Sequence, residues 1–97
     1  MSEKHAVITG GGTGIGSAIA IALAEDGAKV TVMGRRPAPL ETVCEGRDTM
    51  QAVRCDVTDV DSVATAFATA ASSFGPINIL VNCAGAAPTA PFHKLSA

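Results

Sequence analysis

Five glycines fall within the eight residues 9–16, TGGGTGIG, directly after the apolar run at residues 6–8. Glycine loses more conformational freedom on folding than any other residue, so such a cluster is expected where the backbone needs a positive φ or comes close to a ligand. At a junction between strand and helix, a phosphate would meet the first backbone N–H groups and the positive end of the helix. A turn and helix cap that bind no ligand are the structural alternative.

The spacing of these glycines distinguishes three kinds of phosphate-binding loop. Gly11 and Gly16 have the spacing of a Walker loop, but Ser17 stands where that loop needs lysine, which argues against a nucleoside triphosphatase. The strict Gly-x-Gly-x-x-Gly dinucleotide pattern also fails, because Ile15 and Ser17 occupy its last position in the two frames. A Thr-Gly-x-x-x-Gly-x-Gly pattern remains.

Three glycines of the remaining pattern have distinct expected roles. Gly10 would make the tight turn after the strand, Gly14 would let a pyrophosphate approach the backbone, and Gly16 would let the helix pack close to the sheet. The loop is thus predicted to hold the phosphates of a dinucleotide. The other loop residues expected to contact this cofactor are Gly12, Thr13 and Ile15.

The end of the second predicted strand bears on the choice between NAD(H) and NADP(H). An acidic residue that binds the ribose 2′-OH of NAD is expected roughly 20 residues beyond the glycines. Gly34 stands at that position instead, and Arg35 and Arg36 follow. A guanidinium can pair with a 2′-phosphate through two hydrogen bonds, whereas a carboxylate would repel it. NADP(H) is therefore the preferred cofactor and NAD(H) the second choice; two solvated loop charges are the alternative to either.

These residues depend on alternating strands and helices for their positions. Apolar runs predict strands at residues 6–9, 29–33, 50–55 and 77–82, and helical periodicity predicts helices at residues 15–25, 40–44 and 60–74. Right-handed crossovers then imply a doubly wound parallel α/β sheet, βαβαβαβ. Ligands of such sheets bind at the carboxyl ends of the strands, which is where the glycines lie.

The boundaries and buried faces of the helices follow from local patterns. The apolar stripe of the first helix starts at Ile15, and that of the third starts at Val60. Thr58 and Asp61 resemble a capping box at the start of the third helix. The third strand is polar enough for an edge position, and residues 85–97 form a tail without periodicity.

Composition excludes several classes of function. A chain of 97 residues forms at most one small domain. Its net charge of −2 gives no general electrostatic reason to bind nucleic acid or an anionic membrane. Three widely spaced cysteines without a Cys-x-x-Cys motif indicate neither disulfides nor a metal site. With no signal-peptide pattern and no apolar run near the ~18 residues that span a bilayer, a cytoplasmic protein is expected.

The combination of TGGGTGIG with three later motifs, GRR at residues 34–36, CDVT at residues 55–58 and NCAG at residues 82–85, resembles the short-chain dehydrogenase/reductase family. The resemblance implies a Rossmann-type fold truncated after the fourth strand, in which residues 1–97 are the N-terminal part of a single NAD(P)-binding domain. It also implies that Asp56 hydrogen-bonds the adenine amino group, with help from the Val57 backbone. A structural alternative for Asp56 is that it begins the turn before the Thr58 cap.

The fourth motif carries further implied roles. By the resemblance, Asn82 braces the strand, and Ala84 and Gly85 lie next to the cofactor ribose. Cys83 replaces the second asparagine that the family usually has, and its small side chain still fits a packed strand end.

No residue of the chain is assigned a catalytic role. The family uses a Tyr-x-x-x-Lys pair, with tyrosine as general acid/base, and this chain contains no tyrosine. We expect those segments to lie beyond Ala97, so the chain should bind cofactor without catalysing. His5 and His93 are isolated, and neither is expected to be catalytic or to bind metal.

We therefore expect the NADP(H)-binding portion of an oxidoreductase that transfers hydride between NAD(P)(H) and a small carbonyl or alcohol substrate. A non-catalytic dinucleotide sensor and a domain for another adenosine compound, such as an S-adenosylmethionine-type ligand, are the alternatives. The resemblance also implies the strand order 3-2-1-4, in which the fourth strand would be an unpaired edge and one sheet face would lack a helix. Homo-oligomerisation or self-association of the fragment is therefore expected.

Overall fold

The computed structural model describes residues 4–10, 14–83 and 92–94. Strands and helices alternate along most of this part of the chain, as the periodicity predicted. In chain order the elements are β1 (His5–Thr9), α1 (Gly14–Glu25), β2 (Lys29–Gly34), α2 (Pro37–Cys44), β3 (Met50–Arg54), α3 (Val60–Phe74), β4 (Ile79–Asn82) and β5 (Phe92–Lys94).

One sheet contains these strands in the order β3-β2-β1-β4-β5. The first four are parallel, with Val7 of β1 paired to Thr31 on one side and Leu80 on the other. The predicted order 3-2-1-4 and the doubly wound parallel α/β fold are therefore confirmed, and β3 lies at an edge as its polarity indicated.

The expectation that β4 is an unpaired edge is wrong. Strand β5 pairs antiparallel with β4 and brings residues 92–94 opposite residues 79–81. These three residues lie in the segment that was expected to be a tail without periodicity. Because β4 has a neighbour on each side, its backbone groups offer no open edge, and this argument for self-association does not hold.

Both faces of the sheet carry helices, because successive side chains of a strand point to opposite sides. The cluster between the sheet and α1 and α2 consists of Ala6, Ile8, Ala20, Ala28, Val30, Val32, Leu40, Met50 and Val81. The cluster beneath α3 consists of Val7, Met33, Cys55, Ala66 and Ala70. The expectation that one face lacks a helix is therefore wrong, since α3 packs there against β2 and β3.

The first turns of the helices depart from the apolar pattern. Ile15 is 74% exposed and Val60 is 82% exposed, so neither belongs to the buried stripe in which its spacing placed it. Each helix follows the carboxyl end of a strand, and Ile15 and Val60 lie at or next to the first residue of their helices. Helix α2 begins at Pro37 rather than near Leu40, because proline is tolerated in a first turn.

At the opposite, amino edge of the sheet, His5 is 2% exposed and belongs to a chain of polar contacts. His5 Nδ1 lies 2.9 Å from the carbonyl oxygen of Gly75, so Nδ1 carries the proton in the neutral ring. His5 Nε2 then accepts a hydrogen bond from Thr31 Oγ1 at 2.7 Å, and Thr31 Oγ1 accepts one from Gln51 Nε2 at 2.8 Å. With a neutral imidazole, both ring nitrogens of His5 and the Thr31 hydroxyl have hydrogen-bond partners.

Burial lowers the pKa of His5 below its usual value of 6.5; the hydrogen bond to the Gly75 carbonyl opposes this shift, and the charge of Lys29 adds to it. If Nε2 also carried a proton, it could no longer accept the hydrogen bond that the Thr31 hydroxyl now donates to it. The folded state therefore binds this proton less readily than the unfolded state does.

The stability contributed by neutral His5 should consequently be complete above the unfolded pKa of 6.5 and lost as the pH falls towards the lower folded pKa. We expect the free energy of unfolding of the unsubstituted protein to fall relative to that of His5→Gln between about pH 7.5 and about pH 5. Urea denaturation followed by circular dichroism measures both proteins, and carboxylates that titrate in both cancel in the difference. A difference that stays constant with pH would contradict the assignment.

Candidate functional site

Four parallel strands end at the same edge of the sheet, and predicted site residues follow each of them. Gly10 follows β1, Arg35 follows β2, Asp56 lies two residues beyond β3, and Asn82 ends β4. We call this group and its immediate neighbours the carboxyl-edge site. The fold therefore brings together residues that are up to 72 positions apart in the chain.

The glycine loop leaves β1 through a conformation that favours glycine. Gly10 has a φ of 74°, and its N–H donates to the carbonyl oxygen of Met33 at 2.7 Å. Gly14 begins α1, is exposed, and has no atom within 4 Å of the position that a Cβ would occupy. Gly16 is buried within α1. The helix α1 is thus open to solvent at Gly14 and packed against its surroundings at Gly16, two residues later.

Several predicted contacts in this loop and after β4 lie outside the described residues, namely Gly12, Thr13, Ala84 and Gly85. Ile15 is described, and its exposed side chain stands at the first turn of α1, beside the open backbone of Gly14.

Side chains of β1 and β4 are joined at the carboxyl edge. Thr9 Oγ1 donates to Asn82 Oδ1 at 2.9 Å, and the carbonyl oxygen of Thr9 accepts from the backbone N–H of Cys83 at 2.9 Å. Thr9 and Asn82 are register partners, so their side chains share one face of the sheet. The hydrogen bond sets which way the Asn82 amide faces, with its oxygen towards β1.

The end of β2 carries two exposed arginines and no carboxylate. Gly34 accepts a hydrogen bond from the Cys55 N–H through its carbonyl oxygen at 2.8 Å, so the ends of β2 and β3 are held together. Arg36 is the N-cap residue of α2, and its side chain makes no capping hydrogen bond. Both Arg35 and Arg36 present their charge at the surface.

Asp56 has a firmly bound carboxylate. Its Oδ1 accepts two hydrogen bonds from Thr58, one from the backbone N–H at 3.0 Å and one from Oγ1 at 2.6 Å. These two bonds hold the pKa of Asp56 below its ordinary value, and the positive charges of Arg35 and Arg54 act in the same direction. Asp56 is therefore a carboxylate, a pure acceptor, throughout the neutral range.

The capping-box prediction for Thr58 is wrong. Asp59 is the N-cap of α3, and its Oδ1 accepts from the N–H groups of Asp61 at 3.0 Å and Ser62 at 3.4 Å. Aspartate is a strong N-cap residue, and Asp59 stands one residue closer to the helix than Thr58 does. Thr58 is left to bind Asp56, so the turn expected as the structural alternative for Asp56 does form.

Two further contacts at this site were not predicted from the sequence. Ser62 Oγ accepts from the backbone N–H of Asp56 at 2.9 Å, which ties the turn to the first turn of α3. Arg54 is the register partner of Gly34 and adds a charge beside the end of β2. Neither residue belongs to a recognisable motif, but the position of Arg54 at the end of a predicted strand was a usable signal.

The site combines the start of a helix, exposed guanidinium groups and a carboxylate oriented by Thr58. These groups can attract an anion and accept a hydrogen bond. Burial raises the pKa of the Cys44 and Cys55 thiols, so neither is a ready nucleophile. The described residues bring together no group of three His, Cys, Asp or Glu side chains that could bind a metal ion.

Among the residues that the structure describes, no helix is both long enough and apolar enough to cross a bilayer.

Comparison with known proteins agrees with this arrangement. The model of the short chain dehydrogenase family matches residues 4–97. An uncharacterized oxidoreductase of Staphylococcus aureus is 40% identical over 87 residues, which are 88% of this chain and 38% of the relative. The chain thus spans well under half the length of this relative.

Two solved structures add cofactors to the comparison. A 3-ketoacyl-(acyl-carrier-protein) reductase from Brucella melitensis, complexed with NADH, superposes with a TM-score of 0.78 and 39% identity, covering 80% of this chain and 32% of that one. A variant of actinorhodin polyketide ketoreductase with NADPH superposes with a TM-score of 0.80 and 32% identity, covering 86% and 33%. The similar proteins therefore include complexes with each dinucleotide.

Alanine substitutions at Gly10 and Gly14 should separate a conformational role from a ligand-binding role. Gly10→Ala places a Cβ at a φ of 74° and is expected to lower the free energy of unfolding by roughly 1–2 kcal/mol. Gly14→Ala adds a Cβ in open space within a helix, so stability should stay constant or rise by up to about 1 kcal/mol. Urea denaturation measures both changes.

The same Gly14→Ala protein is expected to bind NADPH about tenfold or more weakly, because its new Cβ stands where the pyrophosphate is expected to approach. Isothermal titration calorimetry measures this affinity. An unchanged NADPH affinity in a stable Gly14→Ala protein would contradict the expected role of Gly14.

Proposed function

The chain belongs to the short chain dehydrogenase family, and from this premise we propose that it is the NADP(H)-binding, N-terminal part of a single Rossmann-type oxidoreductase domain. In the proposal, the whole protein transfers hydride between NAD(P)(H) and a small carbonyl or alcohol substrate. The family match over residues 4–97 supports the reaction class. The groups of the carboxyl-edge site support the cofactor-binding role that the proposal gives to this part of the protein.

The cofactor's parts correspond to different strand ends in this proposal. The open backbone at Gly14 and the N-terminus of α1 suit a pyrophosphate, because the positive end of the helix dipole favours an anion. The Asp56 carboxylate suits the adenine amino group, with Val57 beside it at 49% exposure. Asn82 would brace the end of β4 through its contact with Thr9, and Ala84 and Gly85 would lie next to the cofactor ribose. The nicotinamide, when bound, supplies or accepts the hydride.

A preference for NADP(H) rests on one observation, the absence of a carboxylate where β2 ends. Gly34 occupies that place, exposed Arg35 follows, and Arg54 lies across from Gly34 in the register of β2 and β3. A carboxylate at this position would accept a hydrogen bond from a ribose 2′-OH and repel a 2′-phosphate. Guanidinium groups favour the phosphate instead, through charge-assisted hydrogen bonds.

We assign the 97-residue chain a binding role and no acid/base role. The Asp56 carboxylate accepts hydrogen bonds from Thr58, which lower its pKa, so it suits hydrogen-bond acceptance and not proton donation. The family's tyrosine has no counterpart among the residues of this chain. The proposal also places the protein in the cytoplasm, where its three free cysteines would stay reduced.

Arg35→Ala is expected to lower the affinity for NADP about tenfold and to leave the affinity for NAD nearly unchanged, because only NADP carries the phosphate that the guanidinium would bind. Calorimetric titration of the full chain with each dinucleotide measures the preference. Arg47→Ala is the matched control, since Arg47 lies between α2 and β3, at the opposite edge, and donates to the Glu45 carbonyl. Equal affinities for NAD and NADP in the unsubstituted protein would contradict the 2′-phosphate assignment.

Gly34→Asp is expected to reverse the preference. A Cβ at Gly34 would lie 3.4 Å from Leu40 Cδ2, an ordinary contact with a flexible side chain, so the substitution should fold. The new carboxylate should weaken NADP binding by about tenfold and strengthen NAD binding, because it repels a 2′-phosphate and accepts from a 2′-OH. Gly34→Asn has the same size without the charge and should shift the preference much less. The same titrations report the result, and an identical effect of Asp and Asn would rule out a charge mechanism.

A further inference from the structure

The turn between β3 and α3 is held at both its backbone and its side chains. The Asp56 N–H donates to Ser62 Oγ at 2.9 Å, and the Asp59 N–H donates to the Asp56 carbonyl oxygen at 3.0 Å. The Asp59 side chain caps α3. The backbone of Asp56 is therefore fixed relative to α3, and only the torsions of its own side chain are left to be set.

Thr58 sets those torsions. Its N–H and its Oγ1 both donate to one oxygen, Asp56 Oδ1, at 3.0 and 2.6 Å. Two donors on the same oxygen hold the carboxylate in one orientation, and a 2.6 Å hydrogen bond to an ionised group is at the strong end of the range. Asp56 Oδ2 has no hydrogen-bond donor among the residues that the structure describes. The carboxylate thus has one oxygen used by the turn and one offered outward.

We infer that Thr58 is a positioning residue for base selectivity: by occupying Asp56 Oδ1 it leaves Oδ2 oriented to accept a hydrogen bond from the exocyclic amino group of a purine. This inference rests on the proposed function, because it refers to the adenine of the proposed cofactor. Thr58 itself does not touch the cofactor. It acts through Asp56, and its hydroxyl is the part of the side chain that matters.

The chemistry of the carboxylate gives the selectivity its direction. Asp56 is ionised at neutral pH, since the bonds from Thr58 lower a pKa that is already well below neutrality, and an ionised carboxylate can only accept. Adenine offers an amino donor at C6, whereas hypoxanthine offers a carbonyl acceptor, which would face the carboxylate without a proton between them. A carboxylate free to rotate would lose part of this discrimination, because it could turn away from the carbonyl.

The experiment compares NADP with its deaminated analogue, in which hypoxanthine replaces adenine, by calorimetric titration of the full chain. The unsubstituted protein is expected to prefer NADP about tenfold, the lower end of the range for a hydrogen bond to a charged group at an accessible site. Thr58→Val should reduce this preference to about threefold or less, since it removes the hydroxyl donor and keeps the branched shape. Thr58→Ser should restore it.

Two controls separate positioning from a general effect on the fold. Thr69→Val changes another exposed threonine, within α3, and should leave the preference unchanged. In an Asp56→Ala background, Thr58→Val should have no further effect on the preference, because Thr58 acts only through Asp56. Thermal unfolding of each variant identifies any that is not folded, and Thr58→Ala replaces Thr58→Val if the latter is not.

The outcomes distinguish the inference from the proposed function. An unsubstituted chain that binds neither dinucleotide overturns the proposed function, and the inference with it. A chain that binds NADP but shows no preference for adenine overturns the inference alone. So does a preference that survives Thr58→Val, or one that Thr58→Val still lowers when Asp56 is alanine.

Discussion

Parallel pairing of β1 with both of its neighbours is the constraint on which the carboxyl-edge site depends. Because β1, β2, β3 and β4 run the same way, their carboxyl ends meet at one edge. Strand β1 is buried from His5 to Thr9, so its register is fixed by packing on two faces and by hydrogen bonds on two sides. A slip of one residue would turn Ile8 out of one cluster and separate Thr9 from Asn82. The positions of the glycine loop, the arginines and the carboxylate all follow from this register.

Local signals in the sequence were sufficient for β1 to β4 and for the three helices, and the family resemblance supplied the order of the first four strands. Short apolar runs bounded by turn residues are consistent with strands in a sheet covered on both faces, and alternation with helices leaves few topologies. The predictions failed where distant or competing contacts decide. Val60 has the spacing of a core residue but is exposed to solvent as the first residue of α3. Strand β5 depends on a pairing with β4 that no periodicity in three residues can reveal.

The sequence predicted which of the described residues lie at the carboxyl edge, but not the contacts between them. Asp56 was identified by its motif, and its partner was assigned another role. Thr58 and Asp59 are both good capping residues, and which of them caps α3 depends on where the helix begins, a matter of one residue. Asp59 caps because it is adjacent to Val60, and this leaves the Thr58 hydroxyl to the carboxylate. Which of the two residues caps the helix depends on the distance from each side chain to the first helical N–H groups. The spacing of residues in the sequence does not give this distance.

The two edges of the sheet differ in how their polar side chains are paired. At the amino edge, His5, Thr31 and Gln51 satisfy one another, and no buried side-chain nitrogen or oxygen of the described residues lacks a partner. At the carboxyl edge, Asp56 is held mainly by neutral donors from Thr58, with Arg35 a lesser influence on its pKa. Stabilising a carboxylate with a hydroxyl and an amide leaves the guanidinium charge nearby largely uncompensated. In a protein of net charge −2, this local arrangement is what lets one edge present both a hydrogen-bond acceptor and a largely uncompensated positive charge.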